Sequence, residues 1–148
     1  MDKIDIQLLE LLQKNSRISI SDLSNELALS RPSISERLHR LQEKGIIEEF
    51  TTRVSLAAVG REILLIIQVG ALKVSVTEFE EMIKKEEEVI ECHRVTGEVS
   101  YIIKAAVSNM NNMRILIDRL IPYGQINTST VLASPVSKRY ILPITEKE

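Results

Sequence analysis

The chain has one cysteine, Cys92, and no tryptophan in 148 residues. A lone thiol excludes an internal disulfide and any multi-cysteine metal site, and it suits a reducing cytoplasm. Aromatics are scarce too: Phe50, Phe79, Tyr101, Tyr123 and Tyr140 are scattered singly. A binder of single-stranded nucleic acid needs a stacking platform, and none is evident. Charge of one sign is not in excess either, with 19 basic residues against 21 acidic and a formal net charge of −2. Any contact with a polyanion must therefore rest on local charge. No apolar run approaches the roughly 18 residues of a membrane-crossing helix, and no secretory signal pattern opens the chain, so a cytoplasmic protein without a membrane partner is expected. His39 and His93 are isolated, and Cys92 beside His93 would point to the opposite face of a strand. No carboxylate pair is tied to a nucleophile or a glycine-rich phosphate loop. No catalytic residue, metal site or cofactor is expected.

What is present is ordinary globular composition, 44% hydrophobic and 27% charged, in a length that fits one large or two small domains. The organising stretch is Ser19 to Lys44. Ser21 can cap a short helix, Asp22 to Leu27, whose Leu23 and Leu27 share one face. Ala28 and Leu29 turn the chain. Ser30 is a good N-cap for a second helix, with Pro32 in the first turn, where a missing N–H costs nothing. Ile34, Leu38 and Leu41 form its core stripe, and Gly45 ends it. Opposite the stripe lie Pro32, Ser33, Glu36, His39, Arg40 and Glu43, with Arg31 and Arg37 flanking it. This is a helix-turn-helix pattern whose exposed face carries hydrogen-bonding groups. From Arg31 to Lys44 four basic residues (Arg31, Arg37, Arg40, Lys44) stand against two acidic ones (Glu36, Glu43), a local charge of +2. A preceding helix, capped by Asp2 or Asp5 and running to about Asn15, carries Ile4, Leu8, Leu11 and Leu12 on one stripe, completing a three-helix unit. Glu48 to Ser55 alternates and reads as a short strand, and Ala57 to Gly60 as a helical turn or linker.

The second half changes character. Strands are expected at Ile63–Val69, Val89–Val95, Ser100–Val107 and Ile126–Ser134, with helices at Thr77–Glu87 and Asn109–Ile121. Lys138–Ile144 would extend the sheet at its edge, and Glu86-Glu87-Glu88 would be a solvated helix end. The order β-α-β-β-α-β is the ferredoxin-like split unit, so the fold class is α+β. Its two helices can cover only one face of a four-stranded sheet. Ile63–Val69 and Tyr101–Val107 are nevertheless apolar on both faces, as doubly buried strands are. A second copy of the sheet would cover the open face, and a two-fold dimer would also present two recognition helices to a pseudo-palindromic DNA site. The expected division is 1–49 for the helix-turn-helix domain, 50–61 for a hinge and 62–148 for the effector-binding and oligomerisation domain.

Ile4-Asp5, Leu8-Leu9, Leu12, Asn15-Ser16-Arg17, Leu23, Leu27, Leu29-Ser30, Arg37, Leu41 and Gly45-Ile46-Ile47, followed by Val95-Thr96-Gly97 and Tyr101-Ile102-Ile103, resemble the Lrp/AsnC (feast/famine) family of transcriptional regulators over nearly the whole chain. The resemblance implies a winged helix-turn-helix domain, a ferredoxin-like effector and assembly domain, dimers that build into octamers, amino-acid effectors bound between dimers, and a nucleoid-associated location. It places Ser30, Arg31, Ser33, Ser35, Arg37 and Arg40 in the DNA-recognition region. Arginine suits phosphates or guanine edges, and the hydroxyls suit either phosphate or base. For Arg37 the alternatives are an internal pair with Glu36 or Glu43, or a phosphate clamp without base readout. Glu36 could accept from a cytosine amino group, whereas a solvated helix face is its ordinary reading.

The implied effector site departs from the family. The loop after Gly97 usually ends in an aspartate, and here that position is Ser100. A hydroxyl supplies no charge, so an amino-acid ammonium loses its strongest partner, unless Glu98 substitutes. Gly97 can equally serve a tight turn without any ligand. Met110 and Val131, Leu132 and Ala133 would line the same site, with core packing as their ordinary reading. Three functions follow: a sequence-specific regulator, an architectural protein that bends or wraps DNA with little effector dependence, and an enzyme or sensor built on the ferredoxin-like half, which the helix-turn-helix argues against.

Overall fold

The computed structural model describes residues 1–144 and resolves into two compact units, Met1–Arg53 with the tail from Val136, and Val54–Pro135. The expected 62–148 domain thus loses its tail to the first unit, and residues 145–148 lie outside the described residues.

In the first unit, α1 (Lys3–Lys14) opens on a capping box in which Asp2 and Asp5 each accept the other's backbone N–H. The second helix, α2, is Ile20–Leu27, two residues earlier than expected, because Ser19 rather than Ser21 is the cap. Ser19 Oγ accepts the Asp22 N–H at 3.0 Å. That start frees Ile20 to pack its side chain against the helical core. Ala28 closes α2 at φ 51, and Ser30 caps α3 (Arg31–Glu43) with Pro32 in its first turn. Leu8, Leu9, Leu12, Leu23, Ile34 and Leu41 form the core, one stripe from each helix. Deleting any one of these leucines to alanine costs roughly 2–5 kcal/mol. Beyond Gly45, at φ +65, the expected strand Glu48–Ser55 does not form. Every residue in it is exposed, and its alternation finds no ladder partner among the described residues. The tail returns to α1: Gln13 Nε2 donates to the Ile141 carbonyl and the Ile141 N–H donates to Gln13 Oε1, each at 2.8 Å. Expected strand Lys138–Ile144 is therefore not part of the sheet. A groove of about 690 Å³ lies beside this contact, lined by Leu9, Leu12, Ile46, Phe50, Ile141 and Leu142 among others.

The second unit carries β1 (Ile63–Gly70), α4 (Val76–Ile83), β2 (Val89–Arg94), β3 (Tyr101–Val107), α5 (Met110–Leu120) and β4 (Gln125–Thr130). The sheet is antiparallel in the order β2-β3-β1-β4, the ferredoxin-like arrangement. Leu65, Ile67 and Val69 of β1 and Tyr101, Ile103, Ala105 and Val107 of β3 face the helices and pack with Phe79, Ile83, Leu116 and Leu120. Helix α4 is shorter than the expected Thr77–Glu87. The acidic run that follows it is not a solvated helix end: Arg119 of α5 reaches Glu86 at 2.6 Å and Glu88 at 2.9 Å, and Arg61 donates to the Glu87 carbonyl at 2.7 Å. These cations replace a helical turn whose dipole end would repel three carboxylates.

The alternate residues of the central strands, Leu64 and Ile66 of β1 and Ile102 of β3, sit on the opposite face. They pair across the ladder with Ala106, Lys104 and Gln68. Those three apolar residues are half-buried and lie outside the helix-side core.

Candidate nucleic-acid interface and effector site

The recognition helix α3 is fixed by charge as well as by leucine packing. Arg37 Nη1 donates to Asp2 Oδ2 at 2.7 Å and to Asp5 Oδ1 at 2.6 Å. Arg40 Nη2 spans both oxygens of Asp5 at 3.2 Å. Asp5 is 3% exposed, and among the described residues it is the only charged one in the buried set. An isolated carboxylate there would be costly, and two guanidiniums together with the Asp2 N–H offset that cost. Burial pushes the Asp5 carboxyl up, but the Arg37 hydrogen bond and the Asp2 N–H outweigh it, and the net direction is below the ordinary value. The Asp5 N–H, then Arg37, hold Asp2 below its ordinary value as well. The guanidinium of Arg37 is raised by the same pairs.

This arrangement corrects the reading of Arg37. Its internal partners are Asp2 and Asp5 of α1, not Glu36 or Glu43, and its side chain is only 20% exposed. It is a clamp between α1 and α3. Arg40 is 44% exposed and turns only one nitrogen to Asp5, which leaves guanidinium donors on the open side. Arg31 and Ser35 are exposed along one flank of α3, Ser33 is half-buried on the other, and the Ser30 hydroxyl caps the helix by accepting the Ser33 N–H. On the outermost row His39 pairs with Glu43 at 3.1 Å. Sequence reasoning treated Asp2 and Asp5 as caps alone. The available signal was the spacing: two carboxylates three apart opening α1, and two arginines three apart on α3.

The effector residues divide into two groups. Gly97 turns the β2–β3 hairpin at φ 116, with Glu98 exposed beside it. Ser100 donates its N–H to the Val69 carbonyl at 2.8 Å. Val131 donates its N–H to the Leu64 carbonyl at 2.9 Å. Val69 and Leu64 are five residues apart on extended β1, roughly 16 Å. Met110 follows β3, whose Val107 pairs with Ile63 at the Leu64 end. One chain therefore holds Gly97, Glu98 and Ser100 at one end of the sheet and Met110 and Val131 at the other. Core packing, the ordinary reading for the second group, does not hold: Met110 is 60% and Leu132 97% exposed, Ala133 is exposed and Val131 half-buried. Among the described residues no group of three or more His, Cys, Asp or Glu could hold a metal ion, and no helix is long and apolar enough to cross a membrane.

Comparison with known proteins matches both units. A family described as Lrp/AsnC ligand binding domain matches residues 64–141, and one described as winged helix-turn-helix DNA-binding matches residues 1–48. The chain is 27% identical to the HTH-type transcriptional regulator LrpC of Bacillus subtilis, over 90% of this chain and 92% of that protein. The solved LrpC structure superposes with a TM-score of 0.88, covering 93% of this chain and 99% of that one. Identity to the leucine-responsive regulatory protein of Haemophilus influenzae is 33%, over 79% of this chain and 72% of that protein. A Neisseria meningitidis transcriptional regulator, solved as a complex with L-Met, aligns with a TM-score of 0.86 at 28% identity, covering 95% of this chain and 96% of that one.

Proposed function

Because the chain belongs to the Lrp/AsnC family of transcriptional regulators, we propose that it binds a pseudo-palindromic DNA site as a homodimer, assembles further to an octamer, and responds to an amino acid. The helix-turn-helix unit makes it a DNA-binding regulator. It acts by binding rather than by turnover, in the cytoplasm and in association with the nucleoid. The observation that carries the DNA-binding reading is α3 itself: a capped helix with its core stripe buried and a hydrogen-bonding face left open. On that face Arg31, Ser30, Ser33 and Ser35 meet phosphates and base edges, and the free side of Arg40 meets a phosphate. Arg37 acts through Asp2 and Asp5, holding α3 at its angle to α1. The open sheet face with Leu64, Ile66 and Ile102 supports the dimer.

An amino-acid effector is supported by the L-Met complex of the Neisseria relative, which also favours a responsive regulator over a purely architectural DNA wrapper. Its site takes Gly97, Glu98 and Ser100 from one chain and Met110, Val131, Leu132 and Ala133 from another, since a single chain keeps the two groups at opposite ends of β1. Ser100 leaves the ligand ammonium without a charged partner at that position. Calorimetry with an amino-acid panel that includes L-Met tests this: weak binding is expected for the native chain, with a tenfold or greater gain in Ser100→Asp. No heat from either would remove the effector from the proposal. A gel-shift titration of its own promoter against random duplex tests the regulator, and equal affinity for both would overturn specific binding.

A further inference from the structure

We infer that Glu36 selects the base read by the recognition helix, accepting a hydrogen bond from the amino group of a cytosine; the inference rests on α3 being the DNA-reading helix. At 100° per residue Glu36 points directly away from the Ile34–Leu38–Leu41 stripe, in the row Pro32, Glu36, His39, Glu43. It is exposed, and among the described residues it makes no hydrogen bond or ion pair. That solitude has a structural cause. Arg40 stands four residues on, where a helical carboxylate ordinarily finds its cation, but Asp5 holds Arg40 at 3.2 Å. Arg37, the next residue, is drawn to Asp2 and Asp5 at 2.7 and 2.6 Å. Glu43, the other carboxylate of the row, is paired with His39 at 3.1 Å. Asp2 and Asp5 thus draw the neighbouring guanidiniums away from Glu36, and among the described residues Glu36 is the unpaired carboxylate of its row.

A bare carboxylate on such a face repels phosphate and gains only where a donor lies opposite it. Among base edges in the major groove, the cytosine N4 amino group is the donor matched to a carboxylate, while adenine N6 beside N7 is matched to an amide such as glutamine. The second turn of a recognition helix lies within reach of those edges. Glu36 therefore lowers affinity for duplex in general and restores it where cytosine stands at one position of each half-site.

The test is in-vitro selection from randomised duplex with the full chain, its Glu36→Ala and Glu36→Gln variants, and an Arg31→Ala control. The native chain is expected to enrich cytosine at one position per half-site. Glu36→Ala should lose that preference, with discrimination falling on the order of five- to hundred-fold, and should bind random duplex more tightly. Glu36→Gln should shift the preference toward adenine. Both replacements keep an exposed, contact-free site, so folding is not at issue. Selection of the same base by all three proteins, while Arg31→Ala weakens binding, would overturn the role of Glu36 and leave α3 as the reading helix. Unchanged DNA binding in Arg31→Ala and in both Glu36 variants would instead overturn α3 as the reading helix.

Discussion

The two units solve opposite problems with opposite chemistry. The first must meet a polyanion, yet it turns two arginines of its recognition helix inward onto Asp2 and Asp5. The second is a sheet with a well-filled helix side, yet it leaves Leu64, Ile66 and Ile102 on its other face. In the first, charge is structural and the outer surface is nearly neutral. In the second, apolar surface is exported. The difference teaches where affinity comes from. A single recognition helix with half its cations engaged internally makes few phosphate contacts, and each contact adds to a salt-dependent affinity. In the proposed dimer the sheet brings a second helix to the DNA and compensates for what one helix lacks, which makes assembly the proposed point of control over DNA binding.

The sharpest way to break the comparison is to place a charge on the sheet face. Ile66→Glu adds one carboxylate per chain at the proposed dimer contact. At about 2 kcal/mol each, two such charges weaken dimerisation roughly a thousand-fold. Sedimentation velocity should show monomer where the native chain shows dimer or octamer, with circular dichroism unchanged because Ile66 lies outside the helix-side core. An unaltered assembly would mean that this face meets no second copy.

Next in size is removal of the buried acid. Asp5→Ala leaves Arg37 and Arg40 facing a cavity and should cost the first unit about 3 kcal/mol, read by denaturant melts. Acid should act on the same network. Asp2 and Asp5 are held below the ordinary carboxylate value, so the folded state binds fewer protons than the unfolded chain in that range. Their stabilisation is complete above the unfolded value of about 3.9 and is lost as pH falls through the lower folded values. Asp5→Asn should flatten that acid loss. An equally steep loss in the variant would place the titration elsewhere.

The comparison also explains what could be read from sequence. The recognition helix was legible because its cap, Pro32 and its leucine stripe are all local. The four-stranded order was legible because β1 and β3 are short apolar runs and β2 and β4 are short mixed runs, each bounded by turns. The partners of Arg37 were not, because Asp2 and Asp5 lie in a different helix and local spacing offered Glu36 and Glu43 instead. For Met110 and Leu132, which the resemblance placed at the effector site, core packing was the ordinary alternative because their side chains are apolar, and the fold leaves both exposed. Glu48–Ser55 alternates as a strand does, but alternation supplies no partner for its hydrogen bonds. The tail read as an edge strand for the same reason, and its true partner is a side chain.

That side chain offers the smallest of the expected effects and the finest discrimination. The Gln13 amide imitates a strand edge, giving one donor and one acceptor to the backbone of Ile141 at 2.8 Å each. Both bonds are exposed, so water competes for them and their combined worth is about 1 kcal/mol. Gln13→Ala should lower the stability of the first unit by that amount or less. Gln13→Glu keeps an acceptor for the Ile141 N–H but loses the donor, and should fall between native and alanine. Ending the chain after Pro135 should cost more than either, because it also uncovers the groove of Leu9, Leu12 and Phe50. The order native, glutamate, alanine, truncation tests whether the tail belongs to the DNA-binding unit as a structural part. Equal stability across the four would show that the recognition helix is held by the Asp5 network and its leucines alone.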